Sequence, residues 1–268
     1  MGGSEIVSGG SSSSTVVLGS LGTIGTALSR YLAGKGHSLL LVDSDTTALE
    51  ALRASISDDS PGPHLSLAVS SDVRTATREL STFLNNSSRK FCNLINAAYP
   101  AKHLLENKSS VPLEDFEELG FVGEHFAFFF STAVMFAEYS SQLGGGALVM
   151  MSSIYGSKPP RMEIYEGTEI VPFVQYGAAK AAIEQMTRLL AAKYVSRGVR
   201  INAVASGGIR SGQSQRFRTQ YGLHPLSGDM MIPSALFGTV DFLLGMTAGG
   251  ISGKVLTVDD GFSLEGQF

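Results

Sequence analysis

Apolar residues in this chain come in short runs without strict alternation, separated by longer stretches of helical character. Runs of that kind mark strands buried on both faces of a parallel sheet. The pattern predicts strands over 15–18, 38–43, 64–69, 93–96, 147–152, 199–205 and 255–258. Between them it predicts helices over 26–32, 46–56, 74–84, 113–139, 175–195 and 233–244, with 154–174 and 206–232 irregular. Strand and helix in alternation give an α/β fold, a single doubly wound parallel sheet with helices on both faces. No shift in composition divides residues 15–268, so they read as one domain, and the glycine- and serine-rich segment 1–14 is expected to be disordered.

Composition narrows the function classes. Hydrophobic residues make up 43% of 268, enough for a large core, and the net charge of −4 comes without a basic block, which argues against a nucleic-acid partner. The richest apolar run, 126–136, holds Ser131 and Thr132 and falls short of the ~20 residues of a membrane span. Phe126, Phe128, Phe129, Phe130 and Phe136, on every face of one helix, predict a helix buried all round, between the sheet and another subunit. No basic-then-apolar leader is visible, and the lone Cys92 allows no internal disulfide, so a reducing cytoplasm is expected. His37, His64, His103, His125 and His224 lack metal-ligand spacing, so no metal site is expected.

Two stretches carry chemistry. Tyr176 and Lys180 stand four apart in a helical run and project from one face. A unit charge ~4 Å from the phenol, at an effective dielectric of ~20, is worth about 4 kcal/mol or roughly three pKa units. That shift would bring a phenol titrating near ~10 toward the range for general acid-base work. Near the other end, a strand, the turn Gly19-Ser20-Leu21-Gly22-Thr23-Ile24-Gly25 and a helix make a Rossmann-type dinucleotide-binding beginning. Its glycines allow close approach to a pyrophosphate, and the helix N-terminus offers amide hydrogens. Asp43, at the end of the second strand, suits ribose hydroxyls and would repel a 2′-phosphate, so NAD is expected rather than NADP.

Taken together these residues resemble the short-chain dehydrogenase/reductase family over nearly the whole chain. Leu18 to Gly25 corresponds to its glycine turn, with Thr23 where a glycine is usual. Asp72-Val73 matches its adenine-side pair, and Asn96-Ala97-Ala98-Tyr99 is a weakened form of its fourth-strand motif. Ser206 to Ser211 stands where the family faces the nicotinamide carboxamide, through Ile209 and Ser211, and Val258-Asp259-Asp260-Gly261 matches its closing motif. The resemblance implies that Tyr176 is the general acid-base, that Ser153 (rather than Ser152) binds the substrate oxygen, and that Lys180 holds the nicotinamide ribose and lowers the Tyr176 pKa. It also implies a homodimer or homotetramer packed through the helix of the phenylalanine cluster and the Tyr-Lys helix.

Two departures stand out. Gly123 aligns with the family's usual relay asparagine, so a proton relay there runs through another group such as His125 or is impaired. The interval between Ser153 and Tyr176 is long, the extra residues lying in 158–168. That insert and the ending Val-Asp-Asp-Gly-Phe-Ser-Leu resemble the flagellin-modification oxidoreductases, a branch associated with amino sugars and nonulosonic acids. A sugar or nucleotide-sugar substrate is the expectation this raises, with Arg161, Glu163, Tyr165 and Glu166 as its polar contacts. The alternatives are a catalytically weak NAD-binding sensor or assembly partner, and an epimerase or dehydratase that uses NAD transiently.

Overall fold

Seven parallel strands lie in the order β3-β2-β1-β4-β5-β6-β7. This computed structural model describes residues 14–60, 62–99, 119–172 and 174–264. The strands are β1 (Ser14–Leu18), β2 (Ser38–Asp43), β3 (Leu65–Ala68), β4 (Asn93–Asn96), β5 (Gly146–Ser153), β6 (Val199–Ser206) and β7 (Val255–Val258). The helices are α1 (Thr23–Gly34), α2 (Thr46–Asp59), α3 (Val73–Asn86), α4 (Leu119–Gln142), α5 (Val174–Tyr194), α6 (Gln215–Tyr221) and α7 (Phe237–Leu244). Because strand side chains alternate between faces, the apolar runs feed two cores at once. Val16, Leu40, Leu94 and Leu148 join Leu80, Phe129, Phe136, Ile183 and Leu190 of α3, α4 and α5 on one face. Val17, Leu41, Ile95 and Val149 join Leu28, Leu32, Leu49, Leu52 and Val240 of α1, α2 and α7 on the other. Each such side chain, buried on both sides, contributes about 1.5–3 kcal/mol of transfer free energy.

The strand order reverses between β1 and β4, and in sheets of this kind the crevice at the carboxyl ends of such a pair receives ligands. Every segment expected to carry chemistry leaves the sheet from that edge. The segment 1–13 and the start of the long helix, 113–118, lie outside the described residues.

Three expectations need correction. Ser14 opens β1 and so belongs to the domain. The stretch 206–232 contains a helix, α6, because the Ser214 hydroxyl caps it by accepting the Phe217 amide and because Phe217 and Tyr221, one turn apart, are both buried. Over 120–142, α4 does reach the length and apolar character of a membrane span; its buried side, with Phe129, Ala133, Phe136 and Ala137, packs into the sheet core. Within one chain, Phe130 of the phenylalanine cluster is 43% exposed and stacks on Phe126, 5.7 Å between centroids.

Candidate active site

The glycine turn is compact because its carbonyls and amides close on one another. Gly19 has φ of +75°, donates to the Val42 carbonyl, and sits so near the end of β4 that a Cβ would come 2.5 Å from Ala98 Cα. A Cβ on Gly25 would lie 2.0 Å from the Gly19 carbonyl oxygen. Gly25→Ala is therefore expected to cost about 1–3 kcal/mol of stability, seen as a lower denaturation midpoint, as overpacking does, and to weaken dinucleotide binding. An unchanged midpoint would show that the turn is looser than this geometry.

α1 begins at Thr23, earlier than the pattern predicted, and its N-cap Gly22 offers no side chain to the first amides. A helix N-terminus left uncapped by side chains is open to an anion. Ser20 is buried under the turn, its carbonyl accepting the Thr26 hydroxyl at 2.8 Å. Asp43 fixes the adjoining corner, accepting the Leu21 amide on one oxygen and the Ser44 amide on the other, each at 2.9 Å. Asp72 caps α3 by accepting the Thr75 amide at 2.8 Å; the Thr75 side chain first and this amide second hold its carboxyl below the usual range, and Val73 is the first helical residue. Asn96 is fully buried and turned toward α4, donating to Thr132 at 3.1 Å, while Ala97 donates its amide to Leu18. Turn, uncapped helix end and carboxylate fit a dinucleotide.

The cavity that continues from this turn has a volume of about 1030 Å³ and runs from Ile24 past Ser153 and Tyr176 to Ile209 and Ser211. Ser153 and Tyr176 stand on the same cavity wall, and Ser153 accepts the Tyr155 amide at 3.3 Å. The neighbouring serine faces away: Ser152 bonds the Lys180 carbonyl and the Glu184 carboxyl, at 3.3 and 3.1 Å.

Electrostatics differ from the expected charge effect. Burial pushes the Tyr176 phenol above its ordinary pKa, with the polar Ser153 side chain opposing it. Lys180 is itself buried, which brings its amine down to about 7, so it is no steady unit charge at neutral pH. Its Nζ donates to the Met151 carbonyl at 3.1 Å, lies 3.4 Å from His125 Nε2, and sits 5.5 Å from the Tyr176 ring centroid. The amine thus lies behind the phenol rather than in the cavity wall. Gly123 is exposed and faces open space; His125, stacked on Phe129, is the α4 residue beside Lys180.

The insert also departs from expectation. Tyr165 lines the cavity and shares a 2.8 Å hydrogen bond with Tyr155, a wall residue the sequence reading missed although it lies two places after Ser153. Arg161, Glu163 and Glu166 do not line it. The Arg161 guanidinium lies 5.7 Å from the Phe262 ring centre, while Glu163 and Glu166 expose their side chains and give their carbonyls to Gln220. Ile164 is the buried anchor of this segment, so the 3-10 turn Met162–Tyr165 carries its charges outward. Among the described residues no group of His, Cys, Asp or Glu is arranged to hold a metal ion.

A family model described as enoyl-(acyl carrier protein) reductase, adh_short_C2, matches residues 19–263. The chain belongs to the short-chain dehydrogenase/reductase family. That makes it an oxidoreductase by family. It is 26% identical over 252 residues to post-translational flagellin modification protein A of Campylobacter coli, covering 92% of this chain and 97% of the relative. To the L-tagatose-forming galactitol 2-dehydrogenase of Cereibacter sphaeroides it is 26% identical over 255 residues, covering 92% and 94%. A short-chain dehydrogenase of Leptospira borgpetersenii, solved with bound NAD+, superposes with a TM-score of 0.76 at 24% identity, over 94% of this chain and 93% of that one.

Proposed function

We propose that this chain transfers hydride between NAD and the carbon of a secondary alcohol or ketone, with Tyr176 as the general acid-base. The observation that carries the reading is that Ser153 and Tyr176 stand together on the wall of a cavity continuous with the glycine turn. When bound, the nicotinamide supplies or accepts the hydride. The turn at Gly19, Gly22 and Gly25 and the α1 amides of Thr23 and Ile24 would hold its pyrophosphate, with Asp43 on the ribose hydroxyls. Asp72, Val73, Asn96 and Ala97 frame the adenine side, and Ile209 and Ser211 the nicotinamide side. Ser153 donates to the substrate oxygen and orients it. Tyr176 then gives that oxygen its proton in reduction, or takes it in oxidation. A phenol held high by burial is fully protonated at neutral pH, which favours the reducing direction. Lys180, as the family resemblance implies, would hold the nicotinamide ribose.

A sugar or nucleotide-sugar is the second reading, favoured by the galactitol-oxidising relative. The reading also pairs α4 and α5 with a second copy in a homodimer or homotetramer, which would cover Phe130 and the 63%-exposed Leu189.

Purified protein with NADH and ketones is expected to lose NADH absorbance with stoichiometric alcohol formed. Binding of NADH without turnover would favour a sensor, and isomerised product without net reduction an epimerase. Asp43→Asn keeps an acceptor for the Leu21 amide but removes the charge. It is expected to weaken NAD binding about 10–100-fold, the worth of a charged hydrogen bond, and to narrow the preference over NADP. Tighter binding of NADP than NAD by the unaltered protein would overturn the cofactor choice.

A further inference from the structure

Beyond the reacting oxygen, the cavity is walled by Pro159, Pro160, Met162, Tyr165, Ile170 and Phe217, and most of the surface it presents is carbon. The wall is backed by its own small core, in which Ile154 and Ile164 meet Tyr221, Met230 and Phe262. Tyr221 stacks on Phe262 with centroids 4.5 Å apart, and Tyr165 meets Phe217 edge-on at 5.5 Å. Side chains packed in this way do not turn aside to expose polar atoms.

Several polar groups on the wall already bond within the protein. Tyr155 and Tyr165 bond each other, and the Tyr221 hydroxyl accepts the Gly208 amide at 2.6 Å. Gln213 donates to the Ile209 carbonyl and to Ser211, and accepts the Ser211 amide. Among the described residues Lys158, exposed at the rim, is the charged side chain on this wall.

Resting on the assignment of this cavity to the substrate, we propose that the body of the substrate is uncharged and apolar, a hydrocarbon-rich ketone or secondary alcohol rather than a sugar phosphate or polyol. An apolar body trades water for carbon surface and gains by its burial. A phosphate would give up its hydration for a wall whose cation among the described residues, Lys158, stands exposed at the rim, and a polyol would bring many hydroxyls to a wall that is mostly carbon. Arg161, the guanidinium suited to a phosphate, is held against Phe262 outside the wall.

The test compares kcat/KM with NADH for cyclohexanone and 2-decalone against fructose and fructose 6-phosphate, in the unaltered protein and in Arg161→Ala and Met162→Asp. The two carbocyclic ketones are expected to exceed both sugars at least tenfold. Arg161→Ala is expected to leave every value unchanged. Met162→Asp, at a 59%-exposed position that tolerates a charge in folding, is expected to raise KM for 2-decalone at least fivefold without altering NADH affinity. Preferred turnover of a sugar, or a rise in KM for fructose 6-phosphate in Arg161→Ala, overturns the inference while leaving the oxidoreductase reading intact. An unmoved KM in Met162→Asp likewise overturns the inference alone. Turnover of none of the four, with NADH bound, overturns both.

Discussion

Tyr176→Phe is expected to lower kcat by about 10²–10⁴-fold, the usual worth of a positioned general acid. The substitution removes an oxygen and leaves the ring, so the packing against Tyr99, 6.1 Å between centroids, is kept. It also leaves the glycine turn and Asp43 untouched, so NAD affinity by calorimetric titration should stay where it was. The high pKa adds a second signature. Because burial lifts the phenol above its ordinary value, reduction should not fall off across neutral pH through loss of this proton. Turnover preserved in Tyr176→Phe would reject the catalytic assignment, whatever happened to cofactor binding.

Lys180→Met is expected to yield a more stable protein with little activity. The amine is fully enclosed, and desolvation lowers its pKa from 10.5 to about 7. In the unfolded chain the group stays protonated to about 10.4. Between these values the unfolded state binds more protons, so stability rises with pH across that window. Below about pH 7 the folded state must bury the charge, and the full penalty applies. Methionine fills similar space without it. Replacing a buried charge by an apolar side chain of similar volume commonly stabilises by about 1–4 kcal/mol. The gain is expected at the lower end, because the Met151 carbonyl loses its 3.1 Å donor. Urea denaturation of both proteins at several pH values isolates the effect. The difference between them should be largest at and below neutral pH and shrink toward pH 10. A variant less stable than the unaltered protein near pH 6, with no such trend, would mean that Lys180 is not desolvated. Stability given up at a functional lysine is a common exchange at active sites.

Legibility in the sequence followed the range of the forces involved. The strands and α1 to α5 could be read because apolar runs and helical spacing are local signals, and the structure differs from them mostly at the ends. α6 escaped because its signal is short: one capping serine and two buried aromatics among polar residues. At the site, Gly19 to Gly25, Asp43 and the Tyr176–Lys180 pair were readable because their spacing is itself the geometry of a turn or of a helix face. Tyr155 and the substrate wall were not, since a tyrosine near a serine carries no mark of which way it faces.

The charge argument about Lys180 shows the same boundary more sharply. Spacing alone put an ammonium beside a phenol, and that juxtaposition exists. Whether the ammonium stays charged depends on the dielectric around it, which is made by Phe129, Met151 and His125 from other parts of the chain. Arg161, Glu163 and Glu166 failed as cavity residues for a related reason: burying Ile164 turned the insert so that its charges met water. By itself the sequence determined the α/β architecture, the glycine turn and the one helix face that holds phenol and amine. Only the tertiary structure decided which groups are dry, which protons are held and what lines the cavity, because desolvation depends on neighbours distant in the chain.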